Sequence, residues 1–233
     1  MRLVDLKNRP TLINKNLQIS GPPGGNPGPG GITVETRVIS PDSYVVHSET
    51  IKQVRNAVVP ACAAIGGAMG DDRVILVSSV GEPNCYWLPW RRGSVYLGQL
   101  GNKYEYFFTA RMNGCGMIIG GTAAQPFVAH ANLDSDRLTD ALTRVRARGL
   151  SVKEENEAVA AEYALIYEQF YGNLAAKLIH DGLLSGARLK VLTPQEYLIE
   201  GKAGFAAVFG INTGGAWKFY GNLAKQTRLI WEG

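Results

Sequence analysis

The sequence predicts an α+β fold in which mostly antiparallel strands are covered by helices. Three observations carry that expectation. β-favouring runs cluster at residues 74–133 and again at 189–232. Two segments with helical spacing, 134–148 and 154–179, lie between them. A Gly/Pro-rich stretch at 21–31 separates a short polar-apolar lead from everything that follows. A sheet with one apolar face needs a second layer to cover it, and the two helical segments can supply one.

Residues 1–31 therefore read as a lead and linker, and 32–233 as one α+β domain. The run GPPGGNPGPGG cannot sit inside a helix or sheet, because proline removes donors and glycine costs entropy. It lacks the Gly-Lys-Ser/Thr ending of a phosphate-binding loop. Residues 32–46 alternate in a β-like way, broken by Ser40-Pro41-Asp42-Ser43. Residues 49–69 read as a helix ended or kinked at Pro60, with Cys62 in its core face. Residues 74–80 (VILVSSV) read as a buried strand, and 81–89 (GEPNCYWLP) as a loop of turn signals carrying Cys85. Residues 95–100 and 104–112 read as a hairpin about Gly101-Asn102-Lys103.

The next stretch, FFTARMNGCGMIIGGTAAQPFVAHAN, holds the candidate chemistry. Residues 116–120 are a short apolar strand, 120–126 a turn, and 127–132 the returning strand. Residues 134–148 then read as a helix capped by Asp134 or Ser135 and stopped by Gly149. Residues 154–179 give the clearest helix, with Val159, Tyr163, Ile166, Phe170 and Leu174 recurring at three- and four-residue steps. That stripe is core packing, and His180 at its end suits the helix dipole rather than catalysis. A strand at 189–192, a Thr193-Pro194 helix entry, strands at 205–211 and 217–220 joined by Asn212-Thr213-Gly214-Gly215, and a closing strand at 227–232 complete the pass.

Composition excludes several classes. The chain has 233 residues and net charge +4, with no Lys/Arg-rich block, so a nucleic-acid footprint is not expected. The densest basic spots, Arg91-Arg92 and Arg144 to Arg148, read as solvated faces. No stretch has the length of a membrane-spanning helix, and the polar N-terminus lacks a signal-peptide core. The expected location is the cytoplasm or export by a signal-independent machine. Three cysteines (Cys62, Cys85, Cys115) are too few for a disulfide framework, and no CxxC or His-rich cluster points to zinc or another metal.

Cys115 lies between Gly114 and Gly116, Thr109 precedes it by six residues, and His130 follows it by fifteen. A thiol needs a base to become a nucleophile at neutral pH, and an imidazole across a hairpin can serve. Counted from the turn, Cys115 and His130 are expected as cross-strand neighbours, with Thr109 brought round to orient the ring. The flanking glycines would let a substrate backbone or an oxyanion approach closely. Free cysteine is also commonly a small buried hydrophobe, so a purely structural role stands beside the catalytic one.

The pattern of threonine, five residues, cysteine beside glycine, then histidine on a following strand resembles the glutamine deamidase superfamily. That group includes the catalytic domain of cytotoxic necrotizing factor toxins, a lethal-factor-type toxin aimed at a translation helicase, and the chemotaxis receptor deamidase. This chain has Asn113-Gly114-Cys115 where the family more often has Leu, then Ser-Gly or Gly-Ser, before the cysteine. The resemblance implies a β-sandwich-like core, Cys115 as nucleophile, His130 as base, Thr109 as orienter, and no cofactor. It implies hydrolysis of a protein glutamine side chain by a bacterial toxin or effector. Such a protein is secreted without a classical signal peptide and acts on a host protein in the host cytoplasm. The family's bacterial cytoplasmic member leaves that second location open. Transglutamination and proteolysis are neighbouring thiol chemistries. The alternative is a non-enzymatic protein-binding module with Cys115 buried in its core.

Overall fold

The computed structural model describes residues 95–133, 135–184, 188–197, 204–223 and 226–233, with the shorter segments 7–8, 10, 18–20, 37–39, 63–67, 73–78 and 85–88. In chain order the strands are β1 (Gln18–Ser20), β2 (Arg37–Ile39), β3 (Ala63–Gly67), β4 (Arg73–Ser78), β5 (Cys85–Leu88), β6 (Val95–Gln99) and β7 (Tyr106–Thr109). They continue with β8 (Cys115–Gly121), β9 (Pro126–Asn132), β10 (Lys190–Leu192), β11 (Ala206–Thr213), β12 (Ala216–Leu223) and β13 (Gln226–Glu232). Two helices, α1 (Ser135–Arg146) and α2 (Val152–His180), fall between β9 and β10.

The fold is α+β. The strands form an eight-stranded sheet, ordered β1-β4-β3-β5-β7-β11-β12-β13, and a five-stranded sheet, ordered β10-β8-β9-β6-β2. Among the described strands, only β1–β4 and β5–β7 pair in parallel. One core lies between the sheets: Leu88, Phe107, Val208, Trp217 and Phe219 from the larger meet Tyr96, Met117, Ile119 and Val128 from the smaller. A second core lies between the smaller sheet and the helices, where Ile118, Ala129 and Ala131 meet Tyr167, Phe170, Tyr171, Leu174 and Leu178. The smaller sheet is thus apolar on both faces. This explains why β8 and β9 read as near-continuous apolar runs rather than as alternating ones.

The helices form as their patterns predict. α2 opens on a capping box in which Ser151 accepts from the Glu154 backbone N–H and the Glu154 carboxylate accepts from the Ser151 N–H. Its second half buries Tyr167, Phe170, Tyr171, Leu174, Ala175 and Leu178, a 3.6-residue stripe over the smaller sheet. Val159, Tyr163 and Ile166 are only half-buried. The basic stretch of α1 is tied to α2 by Arg144–Glu162 (3.7 Å) and Arg146–Glu155 (3.1 Å). These are exposed ion pairs, in keeping with a solvated face.

Three sequence expectations are corrected. β6 and β7 are not a hairpin: β6 pairs with β9 and β2, while β7 pairs with β5 and β11 in the other sheet. The segment between them crosses the sandwich, tied there by the Trp217 indole N–H donating to the Gly101 carbonyl at 3.1 Å. Residues 85–88, expected as loop, form a fully buried strand, because the Pro- and Gly-rich flanks bound a four-residue aromatic core segment. Residues 63–67, expected inside a helix, form β3. The linker at 21–31 and Cys62 lie outside the described residues.

Candidate active site

The turn before β8 is built for a change of direction. Gly114 has φ of +86°, a conformation that costs any other residue, and Asn113 is exposed while Cys115 is buried. Tyr197 fixes that turn: its hydroxyl donates to the Cys115 carbonyl at 2.6 Å and accepts from the Gly114 N–H at 2.9 Å. Gly116 faces the helices, where the Tyr171 ring fills the space a side chain would need.

The β8–β9 hairpin forms as expected, but its register differs from the one counted from the turn. Cys115 stands opposite Asn132, and His130 stands opposite Met117. The strands close at Gly121 and Pro126, so the turn is shorter than the 120–126 expected from the sequence. The slip is two residues, which preserves the face. Cys115, Met117, His130 and Asn132 therefore all point into the core between the sheets, with Cys115 and His130 as diagonal neighbours.

Thr109 reaches His130 from the opposite sheet rather than round a bend. Its hydroxyl oxygen lies 2.7 Å from His130 Nδ1 and 2.8 Å from the Leu88 carbonyl oxygen. A carbonyl only accepts, so the single hydroxyl proton goes to Leu88. The hydroxyl must then accept from Nδ1–H, which fixes the ring as the Nδ1–H tautomer. Nε2 carries the lone pair, and it is buried with no hydrogen-bond partner among the described residues. Both Thr109 and His130 are 0% exposed.

The sulfur of Cys115 accepts from the Asn132 side-chain amide at 3.0 Å. Burial pushes the thiol up, opposed by donation from Asn132 and from the Asn113 backbone N–H. Burial pushes His130 down to about 3. Both groups are consequently neutral near pH 7. The arrangement provides a thiol and a bare imidazole nitrogen on one sheet face, rather than a preformed ion pair.

Thr109, Cys115 and His130 converge in the interior of the sandwich, and Cys115 is 3% exposed. A cavity of about 250 Å³ lies between α1 and α2, lined by Arg137, Asp140, Arg144 and Phe170 among others. The thiol of Cys85 is fully buried in β5. His180 is exposed at the end of α2, 3.2 Å from Asp181. Among the described residues no group of three or more His, Cys, Asp or Glu side chains is placed to hold a metal ion. No described helix is long and apolar enough to cross a membrane.

Sequence reasoning missed three participants. Asn132 carried a signal, since it follows His130 by two residues and must share its strand face. The Leu88 carbonyl and Tyr197 carried none, being brought in by pairing across the sandwich and by a segment some eighty residues away. Comparison with protein-family models and with curated proteins finds no match.

Proposed function

We propose that this protein is a cysteine-dependent hydrolase acting on a carboxamide, namely a protein glutamine deamidase, with Cys115 as nucleophile, His130 as base and Thr109 as its orienter. The observation that carries the reading is the Leu88–Thr109–His130 relay. It dedicates Nδ1 to a structural bond and leaves Nε2 bare on the face that bears Cys115. A histidine buried only for packing would not need its free nitrogen left unsatisfied, which is costly in an apolar core.

The chemistry follows from those atoms. Nε2 takes the Cys115 proton as the sulfur attacks the side-chain amide carbon of glutamine. The new C–S bond forms while the carbonyl π pair moves to oxygen. Collapse breaks the C–N bond, and His130 returns the proton to the departing ammonia. Water then attacks the thioester, His130 takes its proton, and the thiol is regenerated with glutamate as product. The Thr109 contact keeps Nε2 in place throughout. An amine in place of water would give transglutamination. Papain-like peptidases place the cysteine at a helix N-terminus, whereas Cys115 is the first residue of a strand. The resemblance in residues 109–130 extends the proposal to a toxin or effector that modifies a host protein.

The burial of Cys115 favours a second reading, a binding module whose cysteine is structural. The two separate in a eukaryotic cell extract. Incubation with the wild-type chain is expected to convert specific glutamines to glutamate, a gain of about one dalton from covalent bookkeeping, seen by peptide mass spectrometry. Cys115→Ser should convert none while keeping its fold. Absence of any glutamine whose conversion depends on Cys115 would overturn the enzyme in favour of the binding module.

A further inference from the structure

We infer that Asn132 is a catalytic residue of this site, its side-chain amide being the donor that holds the Cys115 sulfur as the thiolate develops. The inference rests on the deamidase reading for its use, and on geometry for its substance. Asn132 is paired in register with Cys115. Its Nδ2 lies 3.0 Å from the sulfur. It is 9% exposed and shares a strand face with His130, two residues earlier.

A buried amide is expensive unless bonded, and a neutral thiol is a weak acceptor. Donation to a thiolate is much stronger, because hydrogen bonds to charged groups are worth more than neutral ones. The bond therefore gains most as the proton leaves. The titratable groups on which a Cys115 thiolate would act are the phenols of Tyr167 and Tyr171 on α2 and of Tyr197 after β10. All three are pushed above the ordinary phenol range by burial, so none ionises near neutrality. His130 is neutral near pH 7, and its Nε2 is the group that takes the proton. The remaining donor is the Asn113 backbone N–H, so two N–H groups flank the sulfur while His130 takes its proton. Asn132 itself gains and loses no bond.

The test uses the full chain and needs no known substrate. In the wild type, the Asn132 side-chain amide resonance should titrate with the midpoint of the Cys115 thiol, and that midpoint should vanish in Cys115→Ser. Asn132→Leu should lower the thiolate fraction at a given pH by about ten- to a hundredfold, the range for a hydrogen bond to a charged group. Asn132→Ser, which keeps a donor and is easier to fold, should recover part of it. Where turnover is measured, kcat should fall with the thiolate fraction while KM holds. An Asn132 resonance that ignores the thiol titration overturns the inference. So does an unchanged thiol midpoint in folded Asn132→Leu or Asn132→Ser. Failure of the deamidase reading looks different: wild-type chain without glutamine conversion, with the coupled titration intact.

Discussion

The Thr109 hydroxyl has one proton and two neighbours within 2.8 Å, and the way it is shared decides which His130 nitrogen is basic. Thr109→Val keeps the shape and deletes both bonds. It leaves the His130 N–H unpaired in the core, at about 1–3 kcal/mol for a buried group, and the Leu88 carbonyl with the long 3.4 Å bond from the Ala110 N–H. Turnover should drop roughly ten- to a hundredfold, by analogy with lost orienting partners at metal-bound histidines. Thr109→Ser should restore both properties. Equal turnover in Thr109→Val and wild type would remove the hydroxyl from the mechanism.

Burial of His130 also predicts how stability varies with pH. Its native value is depressed to about 3, against about 6.5 in an unfolded chain. Between those values the unfolded state binds a proton that the folded state refuses. Stability is therefore full above about 6.5 and declines as pH falls toward 3, by up to about 1.4 kcal/mol per unit. Denaturant unfolding at pH 7 and pH 5 should show that loss in the wild type and a smaller one in His130→Gln. Equal losses would mean that His130 is protonated in the native state. The same depression keeps Nε2 unprotonated through mildly acid pH.

At the scale of elements, the hairpin that carries Cys115 was legible because glycine, proline and β-branched residues punctuate it clearly. Its register was not, since several turn lengths fit residues 120–126. The face survived the error because side chains alternate with period two, so a two-residue slip changes the partner and not the side. Asn132 took the place opposite Cys115 that had been given to His130. The pentapeptide Phe-Tyr-Gly-Asn-Leu shows the same limit of local signals. It is helical at 170–174, burying Phe170, Tyr171 and Leu174, and extended at 219–223 within β12. Only the surroundings distinguish the copies.

Gly116 is where the element packing meets the site. A methyl group there would overlap the Tyr171 ring and come within 2.9 Å of the Leu192 carbonyl oxygen. Gly116→Ala should therefore cost about 1–3 kcal/mol, the usual range for overpacking, and displace the start of β8 with Cys115 on it. A thermal melt unchanged from wild type would show that α2 is free to back away from the sheet.

For the whole molecule, composition and periodicity gave the α+β class, with helices covering strands. They could not divide the strands between two sheets. That division is what assembles the site, for Thr109 belongs to the eight-stranded sheet and Cys115 and His130 to the five-stranded one. Reading residues 95–112 as one hairpin concealed it, since a single sheet would have put Thr109 beside Cys115 rather than across from His130. Closure of the sandwich sets the Thr109–His130 contact and buries the thiol together. In the proposed reaction, the turn at exposed Asn113 and half-buried Gly114 would have to admit the substrate side chain.

In the proposed mechanism Cys115 and His130 work as one unit. The most direct test is the pH dependence of Cys115 alkylation by a small reagent, read residue by residue by mass spectrometry in wild-type and His130→Ala chains. Alkylation of Cys115 should be slower in His130→Ala near neutral pH, with the two rates converging where hydroxide alone ionises the thiol, and no change at the buried Cys85. The same Cys115 rate and the same pH profile in both chains would contradict it.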